Sequence, residues 1–508
     1  MTVINKVMGG LLSFYRAVFW ERTLVGLAWN FWWNFLPVFV WLTIFKNARV
    51  IPAEIRPPIH SKAAFFWDLM LFGDSWGEFR QQAWPSDKWW EVVSWATGVT
   101  FTVCCGIVPL LVWYYIYYVR RVQYNVLEWY EDLFHQKGEQ QQHLQFRPTQ
   151  LRVMLPFFMP LFTCIMVNVA HHFARQEEST FTSGKDILAW ISYVCLHLGV
   201  PVTTAVYLYV FQPPGTLKCF GFALGIQNIA GVFTHLLLPT APPWFIHMYG
   251  VNDTEHVNYL QEGYAAGLTR VDMHWGTRLN RNGFHKSPVV FGAAPSLHSA
   301  IAVQCFLFLI SRSTSTAKTP AAYDLQNRSR VCSSSSDSSS DSSSCDAQMK
   351  DEEMDNIPKY LEESIPSSAS ESDLMLQQYP DSFSPFAEAH LSSSVSSFKM
   401  HADVMRTSKW LWIFNKSLIP KIFGFLYICI QWWATIYLDH HFRFDLFVGA
   451  LYAIVSFVII NTFFLQPKVL KNWVEIRLSD NKLNPAGKTM GMRVFQGTRF
   501  EWLFDPLA

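Results

Sequence analysis

Residues 291–299 read F-G-A-A-P-S-L-H-S and open a long apolar run, and residues 439–445 read D-H-H-F-R-F-D between two further apolar runs. The second stretch spaces His441 and Asp445 four apart, which gives both side chains one face if a helix covers them. A histidine can attack phosphorus, a carboxylate can orient that histidine, and a second histidine can protonate the leaving group. The two stretches lie about 140 residues apart. The fold has to bring them together, and the apolar runs around them indicate a membrane face as the meeting place.

Half of the 508 residues are apolar, 16% are aromatic and 16% are charged, where soluble domains carry roughly 25% charge. This composition predicts an all-α polytopic membrane protein. Runs of the required length, about 20 residues for about 30 Å of hydrocarbon, give eight expected spans. They are 25–45, 92–119, 153–170, 187–211, 219–239, 289–311, 421–438 and 446–465. The first apolar run starts behind Glu21 and Arg22 without a cleavage-site layout, so it reads as a retained span. The second ends in a cluster of tyrosines and Arg120–Arg121, an interfacial edge. The net charge of +1 gives no reason to expect a nucleic-acid partner. Nine scattered cysteines form no C-x-x-C pair and read as small buried hydrophobes.

The chain divides into N-terminal spans and amphipathic loops (1–152), a first membrane part with His298 (153–311), a loop (312–405), a second membrane part with His441 and Asp445 (406–465) and a tail (466–508). Within the loop, residues 333–344 hold ten Ser and two Asp, and residues 337–388 carry thirteen acids against two Lys, a net charge of −11. Such a segment buries too little apolar surface to offset ordering entropy, and disorder is expected over roughly 312–405. Eight spans place the loops 240–288 and 439–445 on one face, with the Ser-rich loop opposite. If that loop is cytosolic, the catalytic face is lumenal.

His441 is the expected nucleophile, with Asp445 fixing its tautomer through the other ring nitrogen. His298 is the expected general acid and then base. Ser296 and the free amides of its helix turn can donate to phosphate oxygens. Lys286 and Arg270 are candidate cationic clamps where charge builds up. Asp272 is a weaker candidate, for orienting a base or binding a sugar hydroxyl. His440 and Asp439 compete with the chosen pair, since neighbouring helical residues point differently. Arg278, Arg281 and Arg443 are expected to meet headgroups or solvent. No metal site is expected: H-E-x-x-H is absent, and nucleophilic histidine chemistry requires no cofactor. No P-loop is present, which argues against ATP-driven transport.

P-S-L-H-S at 295–299 and H-x-x-x-D at 441–445 resemble the second and third motifs of the membrane type-2 phosphatidic acid phosphatase superfamily. The stretches G-Y-A-A-G-L-T-R-V-D (263–272) and G-F-H-K-S-P-V-V-F-G-A-A-P-S-L-H-S-A (283–300) are similar to fungal sphingolipid inositolphosphotransferases. So are F-K-N-A-R-V-I-P (45–52), Y-V-F-Q-P-P-G-T-L-K-C-F (209–220) and the W-W-A-T-I-Y-L-D-H-H-F-R-F-D run at 432–445. The resemblance implies the family's catalytic core, with His441 as nucleophile, Asp445 as orienting acid and His298 as acid–base. It also implies phosphatidylinositol as donor, diacylglycerol as by-product, mannosyl-inositol-phosphorylceramide as acceptor and a Golgi membrane location with a lumenal site. Two departures stand out. The superfamily's first motif, a Lys separated by six residues from Arg-Pro, is absent, and Ala434 and Thr435 replace the usual Ser-Arg before the third-motif histidine. Three other readings remain at this stage. They are ceramide as the acceptor, a lipid phosphate phosphatase with water as acceptor, and a transporter or scaffold whose polar residues line a path.

Overall fold

A computed structural model describes residues 8–9, 11–12, 15, 23–73, 88–114, 147–174, 181–312, 418–470, 472–473, 476, 485–496 and 501–504. These all belong to one compact unit. A second unit, Glu139–Gln145 with Lys318–Val404, lies outside the described residues. The expected loop 312–405 beyond Arg312 lies outside the described residues, as do the basic edge at Arg120–Arg121 and residues 122–146.

Among the described residues the regular elements are helices, with isolated bridges from Thr240 to His60 and Gly292. In order, the helices are α1 (Leu24–Asn34), α2 (Leu36–Asn47), α3 (Ala63–Phe72) and α4 (Lys88–Thr102, continued by a π turn and Val108–Tyr114). Next come α5 (Arg147–Ala174), α6 (Ser183–Phe211), α7 (Thr216–Leu237), α8 (Pro243–Tyr249), α9 (Leu268–Trp275) and α10 (Leu279–His285). The set closes with α11 (Leu297–Arg312), α12 (Leu418–Tyr437) and α13 (Arg443–Ile460, extended by a π segment to Leu470).

Helix covers most of the described part of seven expected spans, while 289–311 is helical only from Leu297 and residues 115–119 of the second lie outside the described residues. Among the described residues, six helices are long and apolar enough to cross a membrane, or up to seven if α1 and α2, bent by 64° to one another, form one span, so the expected count of eight is not reached. The bend falls at Phe35, two residues before Pro37, which has no backbone N–H to continue the hydrogen-bond ladder. The expected span 289–311 shortens to Leu297–Ser311 among the shorter apolar helices. The reason is local. The Thr240 amide donates to the Phe291 carbonyl at 3.0 Å, and the Ala293 amide returns the bond at 3.3 Å. The Ala294 amide donates to the Thr240 hydroxyl at 3.0 Å, and the Ala294–Pro295 peptide is cis. Backbone groups that a helix would use are thus spent on a loop clamp.

The core lies where α11, α12 and α13 meet, with α5 and α6 packed around them. Trp432, Phe308, Phe457 and Leu446 are fully buried there. Within the expected N-terminal spans and amphipathic loops, α3 packs inward on α13. Phe65 meets Phe442, Trp67 meets Phe444 and Phe72 meets Phe447.

Arg443 corrects the sequence expectation. It is buried rather than at headgroups or solvent. Its Nη2 donates to Asp68 Oδ2 at 2.8 Å, and its Nη1 donates to the Phe72 carbonyl at 2.8 Å. Asp68 Oδ1 also accepts the Phe444 amide at 2.9 Å. A charge can stay buried only if paired and hydrogen-bonded, and Asp68 supplies that pairing to the first turn of α13.

Candidate active site

The turn from α12 to α13 is built by its own backbone. The Leu438, Asp439 and His440 amides donate to Ala434, Ile436 and Thr435 carbonyls. Asp439 takes a left-handed conformation at φ 61°, which a short polar side chain tolerates better than most. The helix starts only at Arg443, so it does not cover His441, and the expected shared helical face does not form. The pair meets through a cap instead. Asp445 stands in the first turn of α13, and its Oδ2 accepts the Phe442 amide at 2.9 Å. His441 Nδ1 faces that oxygen at 3.6 Å. This is ion-pair range but longer than a hydrogen bond, and His441 Nδ1 and Asp445 Oδ1 have no hydrogen-bond partner. Catalytic contacts are often long in a free enzyme and tighten with substrate. With Nδ1 facing the carboxylate, Nε2 is the nitrogen left for attack.

The second stretch is fastened to this turn. The Ser296 amide donates to the Asp445 carbonyl at 2.9 Å. The Ser299 hydroxyl donates to the Leu446 carbonyl at 2.7 Å and accepts from Trp432 Nε1 at 2.8 Å. A Cβ on Gly449 would collide with the Ser296 carbonyl, so only glycine permits this approach of α13 to the start of α11. His235 Nε2 donates to the Pro295 carbonyl at 2.8 Å, holding the loop from α7. The outcome is that the His298 and His441 rings lie 5.7 Å apart, centroid to centroid.

A column of rings runs beside this pair. Phe284 stacks on His440 at 4.9 Å, His440 on Tyr193 at 4.8 Å and Tyr193 on His298 at 4.2 Å. His197 follows at 4.1 Å from His298. Tyr193 and His197 come from the middle of α6, where Ile191–Leu196 forms a π turn, a feature frequent at functional sites. The Ser192 hydroxyl donates to Gln431 Oε1 at 3.1 Å and anchors that turn to α12. Neither ring was singled out by sequence reasoning. The available signal was a histidine and a tyrosine four apart within an apolar span, where ionisable groups usually have a task.

The remaining candidates separate. Arg270 Nε donates to Asp186 Oδ1 at 2.8 Å, and its guanidinium lies 4.1 Å over the Phe181 ring. Asp186 is buried and also accepts from the Tyr437 hydroxyl and His274 Nε2, both at 3.0 Å. Arg270 Nη2 is buried without a partner and sits 3.1 Å from where a Cβ on Gly267 would stand. The Gly267 amide donates to the Leu438 carbonyl, so this free donor lies beside the chain that leads into His441. Lys286 is exposed at the end of α10. Ser296 is fully buried, and its hydroxyl accepts the Ser299 amide at 3.4 Å as the cap of α11.

Asp272 is occupied elsewhere. Its carboxylate takes the Asn280 and Arg281 amides and the Thr277 hydroxyl, organising the start of α10. Burial pushes this carboxyl up, but those donors outweigh it and hold it below the usual range. Asp439 accepts from His247 Nδ1 at 2.7 Å, away from the paired histidines. Among the described residues, no three His, Cys, Asp or Glu side chains converge as a metal site requires.

The helical core that holds these residues can be set beside known families. The PAP2 superfamily profile matches residues 152–323, which include P-S-L-H-S, and the described residues form an all-α polytopic protein with a core similar to that class. Over 550 aligned positions it is 48% identical to inositolphosphotransferase 1 of Saccharomyces cerevisiae, covering 100% of both chains. The chain belongs to the inositolphosphotransferase family. It is also 40% identical over 132 residues to inositol phosphorylceramide synthase of Candida albicans, covering 26% of this chain and 27% of the relative. A third relative, phosphoinositol dihydroceramide synthase of Bacteroides thetaiotaomicron, is 30% identical over 125 residues, 25% of this chain and 39% of the relative. No solved structure matches the chain significantly.

Proposed function

We propose that the protein transfers inositol phosphate from phosphatidylinositol to mannosyl-inositol-phosphorylceramide, releasing diacylglycerol, at the lumenal face of the Golgi membrane. The observation that carries this reading is the 5.7 Å approach of His298 to His441, with Asp445 behind the latter at 3.6 Å. His441 Nε2 attacks phosphorus while the bond from phosphorus to the diacylglycerol oxygen breaks. Asp445 keeps the proton of His441 on Nδ1 and stabilises the charge that develops. His298 gives its proton to the departing alkoxide. The phosphohistidine divides one difficult substitution into two easier ones. In the second step the acceptor hydroxyl passes its proton to His298 as the new oxygen–phosphorus bond forms and the nitrogen–phosphorus bond breaks. Arg270 and Lys286 are assigned to the phosphate charge, with Arg270 preoriented by Asp186.

The acceptor assignment rests on the full-length likeness to a single relative, whereas the ceramide-directed relatives cover about a quarter of the chain. The test uses purified protein in detergent, phosphatidylinositol labelled in its headgroup, and either ceramide or mannosyl-inositol-phosphorylceramide. Label should move to the mannosylated lipid alone and should not move in His441→Ala or His298→Ala. Transfer to ceramide would overturn the acceptor assignment, and unchanged transfer in His441→Ala would remove the nucleophile.

A further inference from the structure

His440 is a buried base that the transfer steps leave unused. Its side chain is 5% exposed and lies between the rings of Tyr193 and Phe284. The Ala265 backbone raises the ring's proton affinity as an acceptor does, which favours the N–H on Nδ1. The other nitrogen, Nε2, is buried with no partner. Burial, with some help from the His441 charge, pushes the ring down to about 3, so Nε2 is a lone-pair acceptor throughout the working range of pH. Buried polar atoms are nearly always hydrogen-bonded, and an unpaired one calls for an explanation.

The free donor nearby is its complement. The Ala265–Gly267 backbone runs alongside Leu438–His440, joined to it by the Gly267 amide on the Leu438 carbonyl at 3.0 Å. His440 holds one end of that segment, and the unpaired Arg270 Nη2 stands at the other. An acceptor and a donor thus flank one short piece of backbone beside the reacting histidine. A phosphorylated polyol presents matching groups, hydroxyl donors on the ring and acceptor oxygens on the phosphate. A bare phosphate or a plain phosphomonoester has no such hydroxyl.

We propose that His440 is a headgroup-recognition residue: its Nε2 accepts a hydrogen bond from a hydroxyl of the donor lipid's inositol ring while Arg270 Nη2 holds the phosphate. This rests on the inositol-phosphate transfer reading above. A site built to bond a substrate hydroxyl rejects analogues lacking it far more strongly than an apolar pocket does.

The test is a direct binding measurement on the full-length protein in detergent, with inositol 1-phosphate and inorganic phosphate as probes. Labelled phosphatidylinositol turnover is followed in parallel. Wild type should bind inositol 1-phosphate in preference to phosphate. H440F keeps a stacked ring without an acceptor and should reduce that preference about 10- to 100-fold, with inorganic phosphate binding unchanged. H440Q, whose amide oxygen can accept, should recover part of it. H440L carries the same measurement if the phenylalanine is not tolerated. An unchanged preference in H440F or H440L would overturn the proposal and leave Nε2 with a water molecule only. That result is distinct from failure of the transfer reading, which would show as no label transfer by wild type whatever the binding preference.

Discussion

The amide of Ser296 donates to the carbonyl of Asp445 at 2.9 Å, joining two stretches about 140 residues apart at the backbone itself. Relative placement of His298 and His441 therefore does not depend on side-chain packing alone. Gly449 makes the bond possible by letting α13 pass the Ser296 carbonyl without a Cβ.

A Gly449→Ala variant forces that contact apart. Overpacking of this kind costs about 1–3 kcal/mol, and a displacement near 1 Å can cost about 100-fold in rate. The expected result is a lower unfolding temperature together with loss of transfer. Gly98 has open space around it, and Gly98→Ala serves as the control with no loss of either. Equal behaviour of the two variants would show that the helix approach does not set the site.

Asp445→Asn retains the shape of the cap but removes the charge facing His441. Transfer should fall by about 10²- to 10⁴-fold, as in sites where an acid fixes a histidine tautomer. The helix start should survive, because the amide oxygen can still accept the Phe442 amide. The check is rate beside thermal unfolding. A collapse of the fold at unchanged specific activity would assign Asp445 a capping role only.

P-S-L-H-S and H-x-x-x-D were legible because each places reactive groups at the edge of an apolar run, where an ordinary membrane segment would carry none. Tyr193 and His197 were not legible, since a π turn within α6 decides which face they take, and that departure from the α-helical period leaves no mark on composition. Nor was the partner of Arg443. Asp68 is 375 residues away, and a lone arginine after an apolar turn reads as interfacial until its partner is known. Spacing alone also misled at His441: four residues suggested a helical face, whereas the pair forms across a helix start.

The Arg443–Asp68 pair yields a stability prediction separate from catalysis. Asp68→Asn leaves a buried guanidinium uncompensated: the amide oxygen can still accept the Phe444 amide, but an NH2 donor then faces Arg443. Breaking one side of a buried pair costs about 3–5 kcal/mol. The expected outcome is a large drop in unfolding temperature, with the double variant Asp68→Asn, Arg443→Met recovering much of it. A Asp68→Asn protein as stable as wild type would mean that the pair is already screened.

The neutral state of His440 gives stability a pH dependence of known sign. Its folded value is pushed down to about 3 from an ordinary 6.5, so the unfolded chain takes up a proton that the folded one refuses. The contribution is fully present above about pH 6.5 and is lost as pH falls toward 3. Within that window each pH unit costs about 1.4 kcal/mol for this one imidazole. Comparing unfolding at pH 7 and pH 5 should show wild type losing more stability than H440Q, by about that slope, because glutamine carries no titrating group. Identical losses would place the ring's ordinary titration inside the folded protein, and His440 would then be charged under mildly acidic conditions, unable to accept through Nε2.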